Sequence, residues 1–194
     1  MENTKNLDDI FEQVRSCRKC KLHKYRDQCV FAEGKSDSMI MLIGLSPGKE
    51  ENATGQLFIG PAGEYLNELL QVARIKRDSL YITNIIKCHA PTHVITKTEV
   101  DACSPYLDEQ IEVIQPRTII ALGSIVTRFV LEKHHFPVKK ISENHGKAFR
   151  VSSNDFFDTG RDMKIITMFH PSAGLRHSEL LDVIRKDWRE LDVN

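Results

Sequence analysis

Four cysteines in two well-separated pairs place the strongest constraint on how this chain folds. Cys17 and Cys20 form a C-x2-C near the N-terminus, and Cys88 and Cys103 form a C-x14-C in the middle. A metal centre needs its ligands close in space rather than in sequence. A shared centre therefore requires the N-terminal segment to fold back onto the middle of the chain. Four thiolates suit a structural zinc ion or an iron–sulfur cluster, and the spacing leaves both open. The N-terminus lacks the apolar core of a signal peptide, and no apolar stretch approaches the ~20 residues of a membrane span, so a cytoplasmic protein is expected. In that compartment cysteines bind metal or catalyse more often than they form disulfides. The fifth cysteine, Cys29, reads as a spare core thiol.

Between and beyond the pairs, short apolar runs alternate with helical patterns. Leu7 to Val14 has helical spacing. Met39–Ile43 is a continuously apolar run of the kind buried in a parallel sheet, and it ends at Gly44. Ala62 to Ala73 is a helix with Leu66, Leu69 and Leu70 on one face. Leu80 to Ile86 is a second strand. Glu99 to Ile114 is a helix with Thr98 as its cap, stopped by Pro116. Thr118 to Gly123 is a third strand, Ser124 to Glu132 a helix, Lys164 to Phe169 a fourth strand, and Glu179 to Leu191 an amphipathic helix. The stretch 139–161 is least regular and reads as a hairpin or loop. With 194 residues, 41% of them hydrophobic, the chain suits one domain with a proper core. The alternation predicts a three-layer α/β/α sandwich around a mostly parallel four-stranded sheet, one domain over residues 1–194.

Sites in such sheets lie at the carboxyl ends of strands. Three polar signatures fall there: the Gly44-Leu45-Ser46-Pro47-Gly48 turn, Asn84, and His170-Pro171-Ser172-Ala173. Each alone has an ordinary structural explanation as a turn, a loop amide or a strand-end histidine. Charge adds little, since 27 basic residues balance 27 acidic ones. The distribution is uneven, however: Arg15, Arg18, Lys19, Lys21, Lys24 and Arg26 follow one another with no acid between. Such a run is a solvated face or a phosphate-facing patch.

Taken together, these segments resemble the uracil-DNA glycosylase superfamily, above all its iron–sulfur-containing family-four branch. The likeness rests on Cys17–Leu22, on Thr54-Gly55-Gln56-Leu57-Phe58-Ile59-Gly60-Pro61-Ala62-Gly63, and on Tyr81–Cys88. It continues through Ala102–Leu107, Ala121-Leu122-Gly123 and Phe169–Ala173. The resemblance implies a DNA-repair hydrolase that removes uracil from single- or double-stranded DNA by breaking the N-glycosidic bond. It implies a [4Fe–4S] cluster on Cys17, Cys20, Cys88 and Cys103, with zinc the alternative. His170 is expected to donate to uracil O2, aided by main-chain amides around Gly44 and Leu45. Phe58 stacks on the flipped base, and Asn84 reads its O4/N3 edge. Ser172, Leu175 and Arg176 match the loop that enters DNA, with Leu175 as wedge and Arg176 on a phosphate. Lys147 stands in a second basic loop, and the run around Cys17–Cys20 adds phosphate contacts. No lysine nucleophile is required, so no β-lyase step is expected. The protein is expected to be a monomer that meets the nucleoid through its substrate, with no membrane partner.

The chain departs from the branch in places. Where the branch carries a glutamate and then a small residue after the first glycine, this chain has Leu45 and Ser46, a pattern similar to family five. The second residue of an acidic pair is Asn52, leaving Glu51. Asn144-His145-Gly146-Lys147 replaces Val-Arg-Gly-Lys. Water activation is then expected to fall to Ser46 or Glu51, and Tyr65 to stand near the thymine methyl position. A weakly active relative that binds damaged DNA is the second reading, and a metal-stapled domain acting on another nucleotide the third.

Overall fold

The computed structural model describes residues 6–92, 94–152 and 162–193. The chain runs α1 (Leu7–Ser16), β1 (Ala32–Glu33), β2 (Ile40–Gly44), α2 (Lys49–Thr54), α3 (Pro61–Val72), β3 (Leu80–Asn84), α4 (Lys97–Ile114), β4 (Thr118–Leu122) and α5 (Ser124–Lys133). It continues through α6 (Ile141–Asn144), β5 (Lys147–Val151), β6 (Met163–Met168), α7 (Pro171–Arg176) and α8 (Leu181–Arg189), with short 3-10 turns at Lys21–Lys24, Arg77–Ser79 and Ser178–Leu180.

The strands form one sheet in the order β1-β3-β2-β4-β6-β5. Its four central strands are parallel and are the four expected from the apolar runs. The sheet has six strands rather than four, because β1 and β5 pair antiparallel on the outer edges. Neither edge strand carries a buried-strand pattern: β1 has two residues, and β5 is mostly exposed and carries Lys147 and Arg150 among its five. β5 and β6 make the hairpin expected in the 139–161 stretch, of which 153–161 lies outside the described residues.

Alternation along the strands sends side chains to two cores. On one face Met41, Ile43, Tyr81, Ile119 and Ile165 meet Ile10 and Val14 of α1, Leu107 and Ile111 of α4, and Val126 and Val130 of α5. On the other, Leu42, Ile82, Ile120, Ile166 and Met168 meet Leu66 and Leu69 of α3 and Ile184 and Trp188 of α8. These are the three layers. Helix α4 starts earlier than expected: its cap is Thr96, not Thr98. Glu99, on the first turn, accepts from the Thr96 N–H at 2.8 Å while the Thr96 side chain accepts from the Glu99 backbone N–H, the capping box of a T-x-x-E sequence. Among the described residues no helix is long and apolar enough to cross a membrane.

Candidate active site

All four parallel strands end at one edge of the sheet, and a cavity of about 470 Å³ opens there. Residues 45–48 after β2 form its floor with Glu50 and Glu51 of α2. Phe58 and residues 60–62 form one wall, Asn84 ends β3 behind them, and His170, Ser172 and Arg176 follow β6. Gly44 and Asn84 are paired in the β2–β3 register. A methyl group on Gly44 would lie 2.3 Å from Asn84 Oδ1 and 2.9 Å from the Phe58 ring, so only glycine lets the two side chains meet over it. Phe58 itself has φ 48°, and its carbonyl oxygen would lie 1.7 Å from a methyl on Gly63. The first turn of α3 thereby sets where the aromatic ring stands. The Phe58 and His170 rings are 6.0 Å apart and tilted by 31°.

His170 has a defined tautomer. Its Nδ1 accepts the Ser172 backbone N–H at 3.1 Å and lies 2.8 Å from Ser172 Oγ, which leaves the ring proton on Nε2. Removal from bulk water, with the Arg176 charge as the lesser cause, lowers its pKa from 6.5 to about 4. At neutral pH the site holds an uncharged imidazole that donates through Nε2.

The other expected residues separate. Ser46 and Leu45 line the cavity, and Arg176 reaches its edge. Leu175 stands 51% exposed on α7. Lys147 is exposed at the start of β5, opposite Thr167, so it sits on the same rim as His170. Glu51 borders the cavity, but its Oε1 accepts the backbone N–H groups of Ile59 (3.1 Å) and Gly60 (3.2 Å), tying α2 to the start of α3. Asn52 does not face the cavity. It pairs with Asp27, accepting from the Asp27 N–H at 3.0 Å and donating to its carboxylate at 2.5 Å. Tyr65 lies outside the cavity, with its ring against Gly174 of α7, contrary to the expectation that it borders the base. His145 bonds Asp187 of α8 at 2.7 Å and stacks on Phe169 at 4.6 Å. Sequence reasoning missed the contribution of residues 122–126, although the rule that sites lie at strand ends applies to β4 as to the others.

The basic run is largely committed within the fold. Arg15 pairs with Glu12 and Lys21 with Glu99, and Lys19 lies over the Tyr106 ring. Arg26 binds the carbonyls of Val14, Arg15 and Cys17 at the end of α1.

On the α1–α4 side, Cys17, Cys20, Cys88 and Cys103 all line one small cavity. Donors point at three of the sulfurs: the Lys19 N–H at Cys17 (3.5 Å), Arg26 Nη1 at Cys88 (3.4 Å) and the Lys87 N–H at Cys103 (3.4 Å). Burial raises Cys88 to about 11 and raises Cys103 too, so ionising them at neutral pH takes a strong positive charge between them. No three His, Cys, Asp or Glu side chains among the described residues stand close enough to hold a metal ion. Four sulfurs line this common space with N–H groups aimed at three of them, the donor chemistry that a thiolate-ligated centre uses. Cys29 lies outside this group.

The model of the uracil DNA glycosylase superfamily matches residues 31–192. A type-4 uracil-DNA glycosylase of Archaeoglobus fulgidus is 34% identical over 187 residues, covering 96% of this chain and 92% of that protein. The type-4 enzyme of Saccharolobus solfataricus is 36% identical over 188 residues, 96% of this chain and 85% of that one. A type-5 uracil-DNA glycosylase of Pyrobaculum aerophilum is 30% identical over 134 residues, 61% and 59% of the two. With its strand-end cavity, three-layer sandwich and near full-length similarity to type-4 members, the chain belongs to the uracil DNA glycosylase superfamily.

Proposed function

We propose that this protein excises uracil from DNA as a monofunctional glycosylase and leaves an abasic site. The observation that carries the reading is the convergence of Phe58, Asn84 and a neutral His170 on one cavity. The C1′–N1 bond breaks with its electron pair leaving on uracil. The Nε2–H of His170 and nearby amides stabilise charge on uracil O2, preorganised donors being the largest contribution in such reactions. Phe58 covers one face of the flipped base. The Asn84 amide offers the acceptor–donor pair that uracil takes and cytosine does not. Water then adds to C1′, held by Ser46 and by the Glu51 oxygen that the Ile59 and Gly60 amides leave over, and its proton passes through the Glu51 carboxylate to the departed uracil anion. Nothing in this chemistry calls for a lysine nucleophile, and none stands among the described residues that line the cavity.

Leu175 is the wedge into the base stack, while Ser172, Arg176 and Lys147 hold phosphates, with Arg18 and Lys24 the remaining cations of the N-terminal run. Cys17, Cys20, Cys88 and Cys103 hold a [4Fe–4S] cluster, with zinc as the alternative. The bound centre supplies a rigid tether for the N-terminal segment. The protein acts as a monomer in the compartment that holds its DNA. Positions 45 and 46 add no carboxylate to those of Glu50 and Glu51, which favours, as the second reading, a slow enzyme that chiefly binds damaged DNA. Purified protein incubated with oligonucleotides carrying uracil, hypoxanthine or xanthine, followed by alkali, decides. Cleavage at uracil supports the first reading; affinity for uracil-containing strands without cleavage supports the second.

A further inference from the structure

The chain leaving β3 does more than carry a cysteine. After Asn84 the backbone runs beside the 44–48 loop: Ile85 N–H donates to the Gly44 carbonyl at 3.0 Å and Ile86 N–H to the Leu45 carbonyl at 2.9 Å. Next comes Lys87, fully buried, whose Nζ lies within hydrogen-bond distance of the Asn84 carbonyl (2.6 Å), Thr83 Oγ1 (2.6 Å) and Gln110 Oε1 (2.5 Å). Gln110 completes the network by donating to Tyr81 Oη at 2.8 Å. Cys88 follows, and then His89, whose Nδ1 lies 3.1 Å from the Pro47 carbonyl, an acceptor that fixes the proton on Nδ1. One three-residue segment thus joins the four-cysteine cavity at its centre to Asn84 on one side and to the cavity floor on the other.

We propose that Lys87 and His89 are positioning residues of the active site, which transfer the fixed position of the four-cysteine centre to Asn84 and to the 44–48 loop. The role rests on reading the cavity as the uracil site. Neither side chain lines that cavity, so neither touches substrate. A buried amino group with three polar partners resists displacement, because any movement leaves polar groups unpaired. A ring held between a ligand-bearing backbone and a loop carbonyl fixes the loop's height over the base. Displacements of about 1 Å at such a distance from the reacting atoms cost on the order of 10² in rate.

The test compares His89→Phe, which keeps a ring but loses the donor, with His89→Asn, which returns an N–H near the Nδ1 position, and adds Lys87→Met. For each variant and wild type, iron and zinc content, affinity for an abasic-site duplex, single-turnover uracil excision and hydrogen exchange at the Ile85 and Ile86 amides are measured. The expected result for His89→Phe is unchanged metal content and duplex affinity, excision slower by roughly 10–100-fold, and faster exchange at Ile85 and Ile86. His89→Asn should return both exchange and rate towards wild type. Lys87→Met should show the same pattern; if it does not fold, the His89 pair decides. Wild-type excision and exchange at both amides in His89→Phe with metal retained would overturn the proposal, as would losses that only follow loss of metal. A wild type that excises no uracil overturns the functional reading instead, and the exchange data still judge the strap.

Discussion

At the scale of single residues, the cavity depends on protonation states set by neighbours. His170 stays neutral because it is withdrawn from water and lies near Arg176, and its Nδ1 is occupied by Ser172. Replacing it with alanine should slow excision on the order of 10²–10³ with little change in DNA affinity; single-turnover rates check this. Its lowered pKa also has a signed consequence. The folded state binds fewer protons than the unfolded one between pH 6.5 and about 4, so His170 takes stability away as pH falls through that window. Above 6.5 it contributes no such dependence. Nitrogen-detected NMR of the His170 ring should therefore show a neutral Nε2–H tautomer at pH 5.5, and a charged ring there would contradict the assignment. Ser46→Ala should cost about tenfold, the low end for groups that assist proton transfer. Glu51→Ala should cost more, because it also strips the Ile59 and Gly60 amides of their acceptor, a loss of about 1–3 kcal/mol in stability. Urea unfolding beside excision rates separates the two effects.

At the scale of elements, the four parallel strands were legible because each is a short apolar run ending in a glycine or polar residue. The helices facing them were legible from spacing. β1 and β5 were not, since an edge strand of two residues, or one of five interrupted by Lys147 and Arg150, has no run to recognise. Phe58, Asn84 and His170 were visible by resemblance, and strand-end logic placed the last two. Their meeting depends on Gly44 and Gly63, whose close contacts no periodicity reports. Asn52 shows the limit most clearly. Beside Glu51 it reads as a lost pocket carboxylate, yet α2 turns it towards Asp27. Asn52→Asp should accordingly destabilise the protein by about 1 kcal/mol rather than speed excision, by setting two carboxylates together. Asp27→Asn in the same chain should restore the loss, and a double-mutant cycle in urea measures it. Thr96→Ala, which removes the cap of α4, should cost about 1 kcal/mol and loosen the helix that carries Cys103.

At the scale of the whole molecule, the four cysteines that line one cavity come from the end of α1, the chain after it, the chain after β3 and α4, and the proposed centre would join them. Protein purified without oxygen should contain about four irons per chain and absorb as a brown chromophore. Serine at Cys17, Cys20, Cys88 or Cys103 should remove the iron, while serine at Cys29 should retain it; stoichiometric zinc without iron would instead identify the alternative metal. The separation of the two cysteine pairs also orders the molecule's assembly in time. During synthesis Cys17 and Cys20 leave the ribosome long before Cys103, and closing so long a loop gains nothing until β2, β3 and α4 have formed their shared core. On the proposed reading, the centre loads a chain whose sheet is already in place. A cell short of the metal would then accumulate folded sandwiches with α1 still packed on α4 and the 17–31 connection loosened, rather than unfolded chains.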